Sequence, residues 1–151
     1  MAGQCFAHGA QHIPQAHGGT CWASCVAMLV NHRDGSTYSD TDVARLAGID
    51  VEAGCRDDQY PEILQYWNLR QVYGSCMTPE GWEQLIYPCP TIVGVTNHVI
   101  VADGIDGDGT EEGTQIYVLD PLSSGPEYWS FQKIEQEFEL RASRELHMIQ
   151  Y

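Results

Sequence analysis

Cationic side chains are scarce in this sequence. Seven Lys and Arg residues stand against 21 Asp and Glu residues, which gives a formal net charge of −14. Nucleic acids and anionic membranes attract surfaces that are rich in Lys and Arg, so this charge balance argues against both as partners. We expect a basic protein or peptide to bind more readily.

Long apolar runs are also absent. The sequence has no stretch of about 18 apolar residues, the length that a membrane-spanning helix requires. The first ten residues lack a cationic segment followed by an apolar one, so no secretory signal is visible. No repeat or linker divides the chain, and its 151 residues suit a single domain over 1–151 with a sizeable core.

The elements of a metal site are incomplete. Cys5 lies close to the histidines of residues 8–17, but no second Cys-x-x-Cys half follows that would complete a zinc site. A calcium loop that began at Asp106 would place Tyr117 where the bidentate Glu belongs. We therefore expect neither a metal nor another cofactor.

Disulfides are not required for a chain of this length, although the six cysteines are even in number. We expect mostly reduced thiols, since Cys21 and Cys25 could form a bridge only by distorting a regular helix. The disulfide state of the remaining cysteines stays open, and these are Cys5, Cys25, Cys55, Cys76 and Cys89.

The most informative stretch is residues 15–30, QAHGGTCWASCVAMLV. In it a glycine pair comes shortly before a cysteine that begins an apolar run. The run is apolar nearly all round, which predicts a helix buried in a core, with Thr20 as a possible N-cap. Free backbone N–H groups and the positive end of the helix dipole favour a thiolate in the first turn. Cys21 is therefore the candidate nucleophile, whereas Cys25 has the position of an ordinary core cysteine.

Capping signals predict three further helices in the first half of the chain. Residues 39–42 (SDTD) form a capping box that opens a helix stopping at Gly48. Tyr60–Trp67 fits a short helix with Pro61 in its first turn, and residues 78–80 (TPE) start another.

The second half is rich in β-branched residues. Strands are predicted at residues 90–95, 98–102 and 115–120, with residues 103–110 as a flexible connection, whereas residues 1–19 look irregular. Shorter elements are predicted at 69–73, 128–131 and 145–149 as strands and at 132–138 as a helical turn. Helices followed by an antiparallel sheet indicate one α+β domain, with the nucleophile helix packed on the sheet.

Three more residues could complete an acyl-transfer site. His98 opens one predicted strand and Asp120 ends the next, so antiparallel neighbours could bring them together. An imidazole beside Cys21 could take the thiol proton and later protonate a leaving amine, while Asp120 orients the ring. The Cys21 N–H and the Gln15 side-chain amide could form an oxyanion hole. Gly19 and Trp22 flank the nucleophile and are candidates to contact substrate, although Trp22 also suits a packing role.

These segments resemble those of a known enzyme family. Gln15, followed six residues later by Cys21-Trp22-Ala23, resembles the nucleophile segment of papain-like cysteine peptidases. The segment from His98 (HVIV) and the segment Tyr117–Pro121 (YVLDP) resemble the histidine and aspartate segments of the compact bacterial branches. Those branches include double-glycine peptidase domains of bacteriocin exporters, staphopain and avirulence-type peptidases, and papain-like toxin domains of interbacterial effectors. Larger relatives use Asn followed by Ser-Trp, so the Asp-Pro pair favours the compact branch.

The resemblance implies a papain-like fold and a cysteine endopeptidase that uses a Cys-His-Asp triad. It also implies cleavage after small residues such as Gly-Gly, by a bacterial toxin or effector domain active in interbacterial competition. Such a domain, cut from a larger secreted protein, would be delivered by a specialised secretion system and would act in a target-cell cytoplasm. Its partners would be a protein or peptide substrate and a cognate immunity protein that plugs the cleft.

Two other functions remain open from the sequence alone. The same residues could perform another acyl transfer, such as peptidoglycan amide hydrolysis, deamidation or transglutamination, because fold and triad do not set the acyl donor. Alternatively, the chain could be a non-catalytic binding module whose acidic surface docks a basic partner.

Overall fold

Five α-helices and seven β-strands form the part of the chain that the computed structural model describes, which is residues 5–73, 78–95, 98–139 and 148–151. The helices are α1 (Cys21–Asp34), α2 (Asp40–Ala47), α3 (Tyr60–Trp67), α4 (Pro79–Ile86) and α5 (Phe131–Glu139). The strands are β1 (Cys5–Ala7), β2 (Arg70–Val72), β3 (Thr91–Val95), β4 (His98–Gly107), β5 (Thr114–Leu119), β6 (Glu127–Ser130) and β7 (Met148–Gln150). The α+β class predicted from the sequence is confirmed.

The helices begin and end at the capping residues of the sequence. Helix α1 is followed by Gly35 at φ 68°, a left-handed conformation that glycine adopts without steric cost. Helix α2 has the predicted capping box, in which the Ser39 hydroxyl accepts from the Asp42 N–H and the Asp42 carboxylate accepts from the Ser39 N–H. Gly48 at φ 69° ends α2 in the same way as Gly35 ends α1.

The described strands form one sheet in the order β2-β7-β3-β4-β5-β6, and their pairings are antiparallel. Strand β1 pairs with the distal half of β4, beyond the part that β3 covers. Strand β4 begins at His98, and its antiparallel neighbour β5 ends at Leu119, directly before Asp120. The start of β4 and the end of β5 therefore lie at the same end of the sheet.

Two apolar cores lie on opposite faces of this sheet. Alternate residues of β4 point to opposite sides, so that Val99 and Val101 join one core while Ile100 and Ala102 join the other. Side chains of α1, α2 and α3 belong to the first core, and those of α4 and α5 to the second. Helix α1 is buried continuously over Trp22–Val30, as its all-round apolar sequence predicts. The first core thus fixes the nucleophile helix against the sheet.

The predicted flexible connection over residues 103–110 is wrong in its first half, because β4 continues to Gly107 with a bulge between Ala102 and Gly104. This segment pairs with β1 on one side and β5 on the other, and the two ladders outweigh the turn preference of Gly and Asp. Gly104 allows β1 to approach, since a Cβ there would lie 2.7 Å from the Ala7 Cα. The irregular structure predicted for residues 1–19 is accordingly wrong for residues 5–7.

Some sequence predictions fall outside the described residues. These are the turn at residues 96–97, the start of the last predicted strand at residues 145–147, and the state of Cys76. Over the described ranges, no helix has the length and apolar character needed to cross a membrane. No group of three or more His, Cys, Asp or Glu side chains in those ranges could hold a metal ion. The described cysteines carry free thiols, and these are Cys5, Cys21, Cys25, Cys55 and Cys89.

Candidate active site

Cys21 is the first residue of α1 and is half-buried. Its N–H has no carbonyl partner within the helix, because the first four N–H groups of an α-helix lack one. The first turn carries no acidic side chain that would compete for the positive end of the helix dipole. This position therefore leaves a backbone donor beside the sulfur that the helix itself does not use.

His98 and Asp120 are brought together at the end of the sheet. The Nε2 atom of His98 lies 2.6 Å from the Oδ1 atom of Asp120, and the two side chains are only 15% and 14% exposed. The same carboxylate oxygen also accepts from the backbone N–H of Leu122 at 2.9 Å. The Cys21 thiol lies close enough to the His98 ring to raise the pKa of this imidazole. Because Asp120 occupies Nε2, Nδ1 is the ring nitrogen left for the thiol.

The electrostatics of the pair favour a charged imidazole. Burial alone lowers the pKa of His98, but hydrogen bonds and charges of Asp120 and Cys21 outweigh burial and raise this pKa from 6.5 to about 9. Burial raises the pKa of Asp120, yet the hydrogen bonds from His98 and Leu122 hold it below its usual value. The site therefore holds an imidazolium between a carboxylate and the Cys21 sulfur at neutral pH.

The two thiols near Cys21 have raised pKa values. Burial strongly raises the pKa of Cys25, which is fully enclosed one turn after Cys21. Burial, the Asp57 carboxylate and the nearby Cys21 raise the pKa of Cys55 to about 12. Both thiols therefore stay protonated at neutral pH.

Gln15 lies in the turn that leads to Cys21. Its Nε2 atom donates to the His17 carbonyl at 2.8 Å and reaches the Gly18 carbonyl at 3.5 Å, while its buried Oε1 has no hydrogen-bond partner among the described residues. The first bond is well formed and the second is at the limit of hydrogen bonding. One of the two amide hydrogens is thus firmly held, and the other can be redirected.

Thr20 occupies the N-cap position of α1, but its hydroxyl makes no capping hydrogen bond. The hydroxyl instead donates to the Asp40 carboxyl at 2.6 Å, across to the start of α2. The prediction of Thr20 as the N-cap residue is confirmed, although its oxygen accepts from the His17 N–H at 3.3 Å and not from a helix N–H.

Gly19 and Trp22 are both turned away from solvent. Gly19 packs against the turn of residues 51–54, where its N–H donates to the Val51 carbonyl at 2.9 Å. Trp22 is 2% exposed and belongs to the first core, and its buried Nε1 has no partner. This burial supports the packing role for Trp22, and contact of either residue with substrate stays a prediction.

Sequence reasoning missed the groups that support the site from the N-terminal segment. The His12 ring is hydrogen-bonded to the Asp120 carbonyl at 2.7 Å, and the Gln15 N–H donates to the Pro121 carbonyl at 3.0 Å. The His17 ring is hydrogen-bonded to the Glu52 carboxylate at 3.1 Å on the exposed side of the turn. These contacts join segments far apart in the chain, so no local sequence pattern could have revealed them.

Comparisons with known proteins bear on the family and the fold of this chain. A family model described as papain-like cysteine protease AvrRpt2 matches residues 7–139. The solved peptidase domain of Streptococcus ComA, a bifunctional ABC transporter involved in a quorum-sensing pathway, has a similar fold, with a TM-score of 0.65 and 18% sequence identity. That match covers 93% of this chain and 96% of the ComA domain. No curated protein sequence matches significantly.

Proposed function

The chain belongs to the papain-like cysteine protease family described as AvrRpt2, and on that premise we propose that Cys21, His98 and Asp120 are its catalytic triad. As a member of this family it is a papain-like cysteine peptidase. The observation that carries the assignment is the 2.6 Å contact between His98 and Asp120, made by a ring whose pKa the nearby Cys21 also raises. The Cys21 N–H and the Gln15 amide are proposed as the oxyanion hole.

Acylation begins with His98 already protonated. The Cys21 sulfur attacks the carbonyl carbon of the scissile peptide bond, and the carbonyl oxygen gains the negative charge. The Cys21 N–H and the second Gln15 amide hydrogen stabilise that oxygen. His98 then gives its proton to the leaving nitrogen, the C–N bond breaks, and an amine leaves behind a thioester on Cys21.

In deacylation the proton moves in the opposite direction, from water to His98. The neutral His98 takes a proton from a water molecule, and the resulting hydroxide attacks the thioester carbonyl. The C–S bond breaks, a carboxylic acid leaves, and the thiolate and imidazolium are restored. Asp120 holds the ring in one orientation through both half-reactions and stabilises its positive charge.

The surroundings of the nucleophile support a substrate with small residues before the cut and basic residues nearby. A side chain at Gly18 would lie 3.3 Å from the Glu52 carboxylate, so the turn over residues 51–55 stands close to the glycine pair. Glu52 is exposed, and Asp57 lies near enough to raise the pKa of Cys55. We infer a narrow, acidic approach to Cys21, suited to Gly-Gly within a cationic peptide or protein.

The proposed setting is a bacterial effector domain used in interbacterial competition. The resemblance of the Gln15, Cys21, His98 and Asp120 segments to papain-like toxin domains supports it. In that setting the domain is delivered by a specialised secretion system into a target-cell cytoplasm, and an immunity protein covers the cleft in the producing cell. Growth arrest on cytoplasmic expression of the protein, absent for Cys21→Ala, tests the setting separately from the chemistry.

The triad is tested by hydrolysis of fluorescein-labelled casein and of a Gly-Gly-aminomethylcoumarin peptide. We expect Cys21→Ala and His98→Ala to lower kcat by at least about 1,000-fold, as removal of a nucleophile or its base does in related triads. Cys55→Ala makes the same chemical change at the neighbouring thiol and should keep activity within about threefold, since Cys55 stays protonated at neutral pH.

Labelling with iodoacetamide, followed by peptide mapping, gives a second readout. Fast labelling below neutral pH should be confined to Cys21 and should slow in His98→Ala. A Cys21→Ala protein that still hydrolysed either substrate would overturn the nucleophile assignment. Release of amines or cell-wall fragments without cleavage of protein would point instead to another acyl transfer on the same residues.

A further inference from the structure

A buried acidic side chain stands behind the turn that carries the candidate oxyanion donors. Asp40 is the first residue of α2 and is 3% exposed. Its Oδ2 atom accepts from the Ala16 N–H at 2.7 Å and from the Thr20 hydroxyl at 2.6 Å. Both donors lie in the segment between Gln15 and Cys21. The capping of α2 is done by Ser39 and Asp42, so Asp40 is not needed for that purpose.

A short chain of hydrogen bonds continues from Asp40 to the Gln15 amide. The Thr20 oxygen accepts from the His17 N–H at 3.3 Å, and the His17 carbonyl accepts from Gln15 Nε2 at 2.8 Å. Thr20 directly precedes Cys21 in the chain. The Asp40 side chain therefore holds the residue next to the nucleophile. Asp40 thereby fixes both ends of the turn, at Ala16 and at Thr20.

The chemistry of this contact explains why an acidic residue occupies a core position. Two donors converge on one oxygen, and short bonds of this kind to a carboxylate are stronger than neutral ones. Burial of an acidic side chain costs free energy unless its oxygens accept hydrogen bonds. The buried position of Asp40, with both donors in the turn, therefore points to a role in fixing that turn.

We propose that Asp40 is a positioning residue for the oxyanion hole, which sets the Gln15 amide and the Cys21 N–H at their working separation. The proposal rests on the proposed function of Cys21 and Gln15 and goes beyond it by assigning a role to α2. An oxyanion hole binds the transition state more strongly than the substrate. Loss of Asp40 should therefore lower kcat and leave KM nearly unchanged.

The test compares Asp40→Ala, Asp40→Asn and Thr20→Val with Ser39→Ala as the matched control. Ser39→Ala removes the cap of the same helix without touching the turn. On the Gly-Gly-aminomethylcoumarin peptide, we expect Asp40→Ala and Thr20→Val each to lower kcat about 10- to 100-fold, because a small misplacement of reacting groups has that effect. Asp40→Asn keeps an acceptor oxygen and should recover most of the loss.

Iodoacetamide labelling of Cys21 separates positioning from general damage. Alkylation of the sulfur develops no oxyanion, so its rate in Asp40→Ala should stay within about threefold of wild type while hydrolysis falls. The combined Asp40→Ala and Thr20→Val variant should lose less than the sum of the two single losses in free energy, since both changes remove one shared contact.

Equal kcat values for Asp40→Ala and Ser39→Ala would overturn the proposal, as would parallel losses of hydrolysis and alkylation. If Asp40→Ala does not fold, Thr20→Val and Thr20→Ser decide the question, because Thr20→Ser retains the hydroxyl and should keep activity. Failure of the proposed function looks different: Cys21→Ala would then remain active, whatever the behaviour of the Asp40 variants.

Discussion

At the residue scale, the candidate site depends on the charge of one imidazole. The Asp120 carboxylate at 2.6 Å and the Cys21 sulfur together raise the pKa of His98 to about 9, against the opposing effect of burial. A group whose pKa is raised on folding contributes stability that is fully present below its unfolded pKa of about 6.5. That contribution is lost as the pH rises through about 9.

Activity should follow the same titration. Wild-type kcat/KM should fall as the pH rises through about 9, because the imidazolium that protonates the leaving amine is lost. In Asp120→Asn this alkaline limb should move about 1–2 pH units lower, since the nearby negative charge is gone. Measurement of kcat/KM between about pH 5 and 10 gives the pH at which this alkaline limb falls in each protein. Asp106→Asn, an exposed change near the other end of β4, should leave the limb in place, and an unmoved limb in Asp120→Asn would contradict the assignment.

Stability gives an independent check on the pair. Asp120→Asn should lower the free energy of unfolding most near pH 7, where His98 is charged, and least above about pH 9, where wild type has itself lost the interaction. Urea unfolding at the two pH values measures the difference. A destabilisation that is equal at both would show that the imidazolium does not contribute through Asp120.

At the element scale, the position of α1 depends on how closely two turns approach. A Cβ at Gly19 would lie 2.5 Å from the Gly54 nitrogen and 2.7 Å from the Val51 carbonyl oxygen. Both contacts are with backbone, which cannot rotate away as a side chain can. The turn of residues 51–54 therefore fits only against a residue without a side chain at position 19.

Gly19→Ala should destabilise the protein by about 1–3 kcal/mol, as overpacking of a closely fitted contact does. The same change should lower Cys21 labelling by iodoacetamide, because the start of α1 must shift. Gly125→Ala is the matched control, since a Cβ there meets nothing within 4 Å and should change stability by less than about 0.5 kcal/mol. Chemical unfolding of both variants measures the two effects, and equal stabilities would refute the close-packing argument.

At the scale of the whole molecule, the excess of acidic groups opposes compaction. A net charge of −14 on 151 residues produces self-repulsion that the folded state must overcome. The exposed turn around Glu52 and Asp57 brings part of this charge near the candidate site. The field that would attract the basic substrate proposed above also reduces stability.

Salt should therefore stabilise this protein. Raising NaCl from about 0.01 M to about 0.15 M shortens the screening length from ~30 Å to ~8 Å, which weakens repulsion between surface carboxylates. If this adds about 1 kcal/mol, Tm should rise by ~2–4 °C for a domain of this size. Thermal unfolding at neutral pH measures the shift, with KCl at equal ionic strength to exclude a specific sodium effect. A Tm that is constant or falls with salt would contradict the prediction.

The sequence by itself determined the elements whose signals are local. The capping box at Ser39, the proline near the start of α3 and the glycine after α1 fix helix ends through contacts within a few residues. The all-round apolar run after Cys21 predicted a buried helix, because its composition leaves no face for water. The order of Gln15, Cys21, His98 and Asp120 was likewise readable, since the family pattern lies along the chain.

The tertiary structure alone decided the features that depend on distant partners. The strand character of residues 103–107 comes from the β1 and β5 ladders, and the local Gly and Asp residues gave the opposite signal. The pattern of residues 39–42 predicts a helix cap, yet the Asp40 carboxyl oxygen accepts hydrogen bonds from Ala16 and Thr20, which precede it by 24 and 20 residues on the other side of α1. Side-chain hydrogen bonds require proximity in space and leave no periodicity in sequence, so only the folded chain could show that α2 supports the turn before Cys21.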